Sequence, residues 1–221
     1  ADNANWRFSL ACRNTGAGGG DLLQFQQGET GYRLLLSDVE GHDVEAKFFA
    51  HAWAGYLRGL MQHQLNSGLT HWLEEISNCA FTDQLLQQKL LTLLAIELGN
   101  HGHFEYGCAG HPAPILVTPT GATQLAGSGM LPGLMPNTQY QTLTATLAPQ
   151  QRLLLFTDGL FESGTTPAQR AALEQTLLNQ LQATLTLPIN QASRHLMSVF
   201  EQYATLESDD TLLLLIELND N

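Results

Sequence analysis

The sequence predicts an α+β fold, with strands grouped together and helices entering in two blocks, not in βαβ alternation. Three observations carry this: apolar runs of strand length, two regions with three- and four-residue apolar steps, and glycine- or proline-bearing breaks between them. Residues 6–12 read as a strand and 15–20 as a glycine-rich turn. A continuous apolar strand over 32–38 ends on an aspartate. Within 44–65, Phe48, Phe49, Ala52, Trp53, Tyr56, Leu57, Leu60 and Met61 recur at helical spacing, and this aromatic stripe is expected to be core. A second helix is predicted over 70–79, with Thr70 as its N-cap. Strands follow at 90–98, 104–109 and 114–118, the first two joined through Gly99-Asn100-His101-Gly102 as a hairpin loop. Beyond the Gly/Pro-rich stretch 127–136 come strands at 141–146 and 152–156. Helices over 167–185 and 189–204 are separated at Pro188, and 212–218 closes the chain as a buried strand.

Charge narrows the function. Nine Lys+Arg stand against 21 Asp+Glu, so the net charge of the 221 residues is 9 − 21 = −12. Charged residues are only 14 % of the chain, against roughly 25 % in an average soluble domain. The acidity is therefore a shortage of cations, which disfavours binding to nucleic acid or to an anionic membrane. No apolar run approaches the ~20 residues of a spanning helix, and no signal peptide pattern opens the chain. Cys12, Cys79 and Cys108 are odd in number and far apart, which argues against a disulfide framework and for the cytoplasm. The missing initiator Met leads us to expect a domain cut from a longer chain.

Four aspartates or aspartate pairs sit at strand ends or in glycine-rich turns: Gly18-Gly19-Gly20-Asp21, Asp38-Val39-Glu40-Gly41-His42, Thr157-Asp158-Gly159 and Ser208-Asp209-Asp210. A carboxylate at the end of a buried strand is held rigidly by the ladder behind it, and a neighbouring glycine lets backbone approach an ion closely. Converging carboxylates would select hard divalent cations such as Mg²⁺ or Mn²⁺. Each aspartate taken alone reads equally as a helix cap or turn residue.

In order along the chain come Gly19-Gly20-Asp21, Asp38-Val39-x-Gly41-His42, Ala109-Gly110-His111-Pro112-x-Pro114, Leu154-x-x-Thr157-Asp158-Gly159-Leu160-x-Glu162 and Asp209-Asp210-Thr211-Leu212-Leu213. This series resembles the sporulation-protein-E-like branch of the bacterial PPM serine/threonine phosphatases over most of the chain. The resemblance implies two packed central β-sheets flanked by helices, an α-β-β-α sandwich, as a single domain over 1–221. It implies two Mn²⁺ or Mg²⁺ ions held by Asp21, Asp38, Asp158 and Asp209, with Asp210 as second choice in the last motif and the Val39 carbonyl as a backbone ligand. It implies hydrolysis of a phosphoserine or phosphothreonine ester by water attacking phosphorus in line, with Asp38 and Asp158 at its centre. His42 would protonate the departing alkoxide, or serve only as a hydrogen-bonded turn histidine. The implied substrate is a phosphoprotein such as an anti-sigma-factor antagonist in a partner-switching pathway. Control by, and a homodimer through, the helices within 44–79 are also implied.

The sequence departs from the family at three places, and the first two keep a second reading open, a catalytically weak pseudo-phosphatase acting as a binding module. Asp43 stands where the family has Gly, so it is either an additional outer ligand or a distortion of the turn. The last motif can be read one residue earlier, which puts Ser208 at the usual ligand position. Cys108 replaces the family's Asn in the Ala109-Gly110-His111 turn, a conservative change. Among other constellations, His101, His103, Cys108 and His111 are grouped tightly enough to suggest zinc, but the hairpin loop and the family turn account for them better. The glycines at 15–20 lack a P-loop ending, and Gly127-Ser128-Gly129 is not a nucleophile elbow.

Overall fold

The computed structural model describes residues 6–15, 19–28, 31–41, 43–64, 67–163, 166–205 and 209–219. Among them the chain runs through β1 (Trp6–Arg13), β2 (Asp21–Gln27), β3 (Tyr32–Val39), α1 (Val44–His63), α2 (Leu69–Thr82), β4 (Leu91–Leu98), β5 (His103–Ala109), β6 (Ile115–Thr118) and β7 (Gly121–Gln124). It continues through β8 (Leu143–Thr146), β9 (Arg152–Phe156), α3 (Gly159–Glu162), α4 (Pro167–Ala183), α5 (Ile189–Phe200) and β10 (Thr211–Leu218). These elements form two five-stranded antiparallel sheets with flanking helices, the expected α+β class. The described residues divide into two compact units, one drawn from Gly16–Ala113 and Ala126–Thr146, the other from Ala4–Thr15, Pro114–Leu125 and Leu147–Asn221.

The first unit holds the sheet β2-β3-β4-β5-β8 with α1 and α2 packed on it. Strand alternation sends Leu35 and Val39 of β3, and Leu91, Leu93 and Ala95 of β4, into one core with the helices. From α1 come Phe49, Trp53, Leu57 and Leu60, and from α2 come Trp72, Leu73 and Ile76. Each such leucine or phenylalanine contributes roughly 1.5–3 kcal/mol on burial. Phe48, expected in that stripe, instead lies 58 % exposed. Adjacent helical residues are 100° apart, so Phe48 and Phe49 cannot both face the sheet. The second helix also differs from expectation. It begins at Leu69 with Gly68 as N-cap, so Thr70 lies inside it and caps nothing.

The second unit holds the sheet β1-β10-β9-β6-β7 with α4 and α5 against it. Leu173, Leu177 and Leu181 of α4, four residues apart, meet Leu196 and Phe200 of α5 and Leu154, Phe156, Leu213 and Leu215 of the sheet. The start of α4 is set by a capping box: Thr166 Oγ1 accepts from the Gln169 amide, Gln169 Oε1 accepts from the Thr166 amide, and Pro167 takes the first turn. Arg7, Glu217 and Arg152 stand opposite one another on β1, β10 and β9. Arg152 Nε reaches Glu217 Oε2 at 2.7 Å while its other nitrogens donate to the Thr184 and Leu187 carbonyls. This buried network ties the α4–α5 connection to the sheet.

Strands β2 and β7 do not emerge from the sequence reading. Both are edge strands, paired on one side only, and their Gln- and Thr-bearing sequences lack the apolar runs that mark the central strands. No described helix is long and apolar enough to cross a membrane.

Candidate functional site

Asp21 and Asp38 are brought together by strand register. Asp21 opens β2 and lies directly opposite Asp38 of β3, so both carboxylates project from the same face of the sheet. Like charges in directly opposed positions destabilise a ladder, and a divalent cation between them would remove that cost. Asp21 Oδ1 is buried.

Gly20 adds the shape of an ion site. A Cβ built on Gly20 would stand 2.6 Å from the Val39 carbonyl oxygen, 3.0 Å from Asp38 Oδ1 and 3.3 Å from the Gly41 carbonyl oxygen. Three oxygens therefore converge on a space that exists because residue 20 has no side chain. An all-oxygen, carboxylate-bearing set suits a hard cation such as Mg²⁺ or Mn²⁺ and not zinc. The backbone is pinned here by the Val39 amide donating to the Gly20 carbonyl (3.2 Å) and the Glu40 amide donating to the Leu90 carbonyl (2.9 Å). Opposite Asp38 on β4, Thr92 Oγ1 lies 2.7 Å from Nδ1 of the buried His111 in the Gly110-His111-Pro112 turn.

Asp43 proves to be a helix cap. Its carboxylate accepts from the Ala46 amide at 2.8 Å, and it is the N-cap of α1. One oxygen of its carboxylate is thus engaged by the first turn of α1. Asp43→Ala is expected to cost about 1 kcal/mol, measured as a lower urea midpoint with unchanged slope. His42 and Ser208 lie outside the described residues.

In the second unit two loops are pressed together. The Thr157 amide donates to the Leu212 carbonyl (3.0 Å) and Thr157 Oγ1 accepts from the Leu212 amide (2.9 Å). A Cβ on Gly159 would meet the Asp210 carbonyl oxygen at 2.1 Å, so the approach requires glycine. Burial pushes the Asp158 carboxyl above the usual carboxylate range, and the charges of Glu162 and Asp209 push it further. A mutually repelling acidic group of this kind is relieved by a cation. Asp210 is 3 % exposed, and its Oδ1 accepts from both the amide (2.6 Å) and the hydroxyl (3.3 Å) of Thr15. Asp209 is exposed and its Oδ1 accepts from the Asp210 amide at 2.8 Å. Among the described residues no group of three or more His, Cys, Asp or Glu side chains is gathered as a ready-made metal cage.

The residues weighed for zinc have other roles. His103 Nδ1 lies 3.0 Å from Thr146 Oγ1, and burial pushes the Cys108 thiol up to about 11. Thr15 as the anchor of Asp210 and Glu162 as the charge beside Asp158 were not anticipated. Glu162 was legible, since residues four apart share a helix face. Thr15 was not, because its partner is 195 residues away.

The chain matches the family described as stage II sporulation protein E over residues 28–219. Its fold is shared with the RsbU and RsbW domains of Rv1364c from Mycobacterium tuberculosis (TM-score 0.84, 23 % identity, 98 % of this chain and 61 % of that one). It is shared with the PP2C phosphatase domain and regulatory fragment of SpoIIE from Bacillus subtilis (TM-score 0.77, 14 % identity, 99 % and 66 %). A third likeness is the catalytic domain of the serine/threonine phosphatase PstP in complex with two manganese ions (TM-score 0.66, 14 % identity, 97 % and 99 %). The chain thus spans less than two thirds of the length of the first of these, and at these identities the likenesses speak for fold.

Proposed function

Since the chain belongs to the stage II sporulation protein E family, we propose that it is a Mn²⁺- or Mg²⁺-dependent phosphatase that removes phosphate from phosphoserine or phosphothreonine on a regulatory protein. Family and fold support a PP2C-type serine/threonine phosphatase at the coarser level. The observation that carries the finer reading is the oxygen-lined space at Gly20, bounded by Asp38 Oδ1 and the Val39 and Gly41 carbonyls, with Asp21 opposite Asp38.

On the first unit, Asp21, Asp38 and the Val39 carbonyl would hold a divalent ion. On the second, Asp158 and Asp209 are the proposed ligands. Asp210 is the further carboxylate, with one oxygen already engaged by Thr15. Bound ions of this kind supply an activated water and neutralise phosphoryl charge. His42 is the proposed proton donor to the departing alkoxide. The substrate we propose is a phosphorylated anti-sigma-factor antagonist, in keeping with the RsbU and RsbW domains named for the Mycobacterium tuberculosis neighbour.

One observation favours the rival reading of a binding module: among the described residues no group of three or more His, Cys, Asp or Glu side chains is placed to hold a metal ion. A single pair of measurements separates the two. The phosphatase reading expects phosphate release from a phosphothreonine peptide with Mn²⁺, none with EDTA, and a saturable Mn²⁺ isotherm by calorimetry. Absence of both release and Mn²⁺ binding at millimolar concentration would establish the binding module instead.

A further inference from the structure

We propose that Lys89 binds the phosphoryl group on the first unit, as the cation that grips the substrate beside the Asp38–Gly41 loop; this rests on the phosphatase reading above. A chain this poor in cations has few groups with which to meet a phosphate dianion. It contains two lysines, Lys47 and Lys89. Of the arginines in the first unit, Arg33 sits towards the opposite end of β3 from Asp38, paired with Glu97 at 2.7 Å and donating to the Ser67 carbonyl at 2.9 Å. Arg58 lies far along α1.

Lys89 is placed differently. It immediately precedes the segment that runs along the exit of β3, where the Leu90 carbonyl accepts from the Glu40 amide and Leu91 pairs with Val39. Its Nζ stands 3.9 Å from the point a Cβ on Gly41 would occupy. A Cβ at residue 41 would be in van der Waals contact with that ammonium, and the carbonyl of the same glycine is one of the three oxygens around the Gly20 space. The cation and the oxygen-lined space are therefore on neighbouring sides of one short loop.

The partner Lys89 has now is one it can exchange. Lys89 Nζ lies 3.3 Å from Glu45 Oε2, and the Glu45 side chain is 64 % exposed against 21 % for Lys89. An ion pair with so exposed a carboxylate contributes little, whereas an ammonium donating to a phosphate dianion makes a charge-assisted hydrogen bond roughly twice as strong as a neutral one. Lys89 is thus held near the loop by a weak tie that a phosphoryl oxygen can outcompete. Its role is to bind and orient the dianion.

The test uses inorganic phosphate and the whole chain. With two lysines, lysine-labelled protein gives two side-chain resonances, so phosphate can be titrated into metal-free protein and followed directly. The Lys89 resonance is expected to shift saturably while that of Lys47 stays in place. In Mn²⁺-loaded protein, Lys89→Gln should weaken phosphate binding about tenfold and raise KM for a phosphothreonine peptide comparably, with the Mn²⁺ isotherm unchanged. Lys89→Arg should restore most of the loss. Glu45→Gln breaks the same ion pair but leaves the cation, so it should bind phosphate as well as or better than wild type. If Glu45→Gln reproduces the Lys89→Gln defect, Lys89 is only a structural tie. If phosphate leaves the Lys89 resonance unmoved, the assignment fails as well. Absence of hydrolysis by the wild type would sink the phosphatase reading alone, because the resonance titration still decides Lys89.

Discussion

Asp158→Asn is expected to reduce metal-dependent phosphate release to background while making the metal-free protein more stable at neutral pH. Both halves follow from one environment. Burial raises the Asp158 pKa, and the neighbouring charges of Glu162 and Asp209 raise it further. A carboxyl whose pKa is higher folded than unfolded holds its proton more tightly in the native state. The stability this confers is complete below the ordinary carboxylate value of 3.8 and is lost as pH rises through the raised folded value. At pH 7 the ionised side chain therefore opposes folding. Asparagine keeps the shape and removes the charge, but it also removes a ligand whose negative charge a divalent cation needs.

Melting temperatures of metal-free wild type and variant should differ at pH 7, with the variant higher, and converge towards pH 4 as Asp158 takes up its proton. Mn²⁺ should raise the melting temperature of the wild type far more than that of the variant. Full activity in Asp158→Asn would end the metal assignment. A variant less stable than wild type at pH 7 would show that some contact of the carboxylate outweighs its repulsion.

Gly20→Ala should strain the first sheet and weaken metal binding together. The added Cβ would sit 2.6 Å from the Val39 carbonyl oxygen and 3.0 Å from Asp38 Oδ1, pressing on oxygens assigned to a cation. Because the nearest atom is backbone within a sheet, relief requires strand movement, at about 1–3 kcal/mol for overpacking. Displaced carbonyl and carboxylate oxygens should also lower Mn²⁺ affinity about 10–100-fold, the range seen when groups supporting a metal site are altered. Calorimetry measures that affinity directly, and the dichroism spectrum checks that the fold survives.

Gly55→Ala in α1 is the matched control, since nothing lies within 4 Å of its added Cβ. It should stabilise the chain by about 0.5–1 kcal/mol and leave Mn²⁺ binding alone. Equal loss of metal in both variants would mean that the Gly20 space is not where the ion sits.

The central strands and the four main helices were legible because their burial is written as unbroken apolar runs or as three- and four-residue steps. Leu34 to Leu36 are fully buried in β3, and Phe49, Trp53, Leu57 and Leu60 align on one side of α1. Strands β2 and β7 carry a weaker pattern because Gln and Thr interrupt their apolar residues. The aspartates were visible as motif residues, but their roles were not. Asp43 became a cap because it stands three residues before the Ala46 amide, a local relation that the sequence permits without requiring.

What the sequence determined by itself is the set of actors and its chemical class: an acidic, cation-poor α+β chain with hard carboxylates in glycine-bearing loops, ordered as in its family. Tertiary structure alone decided which of these face one another. Register set Asp21 against Asp38, closure over almost the whole chain gave Asp210 to Thr15, and the packing of two loops put Asp209 beside Asp158. The physical reason is that charge repulsion, desolvation and ion coordination act over a few ångströms in space. Sequence spacing records such distances only within one helix turn or one strand.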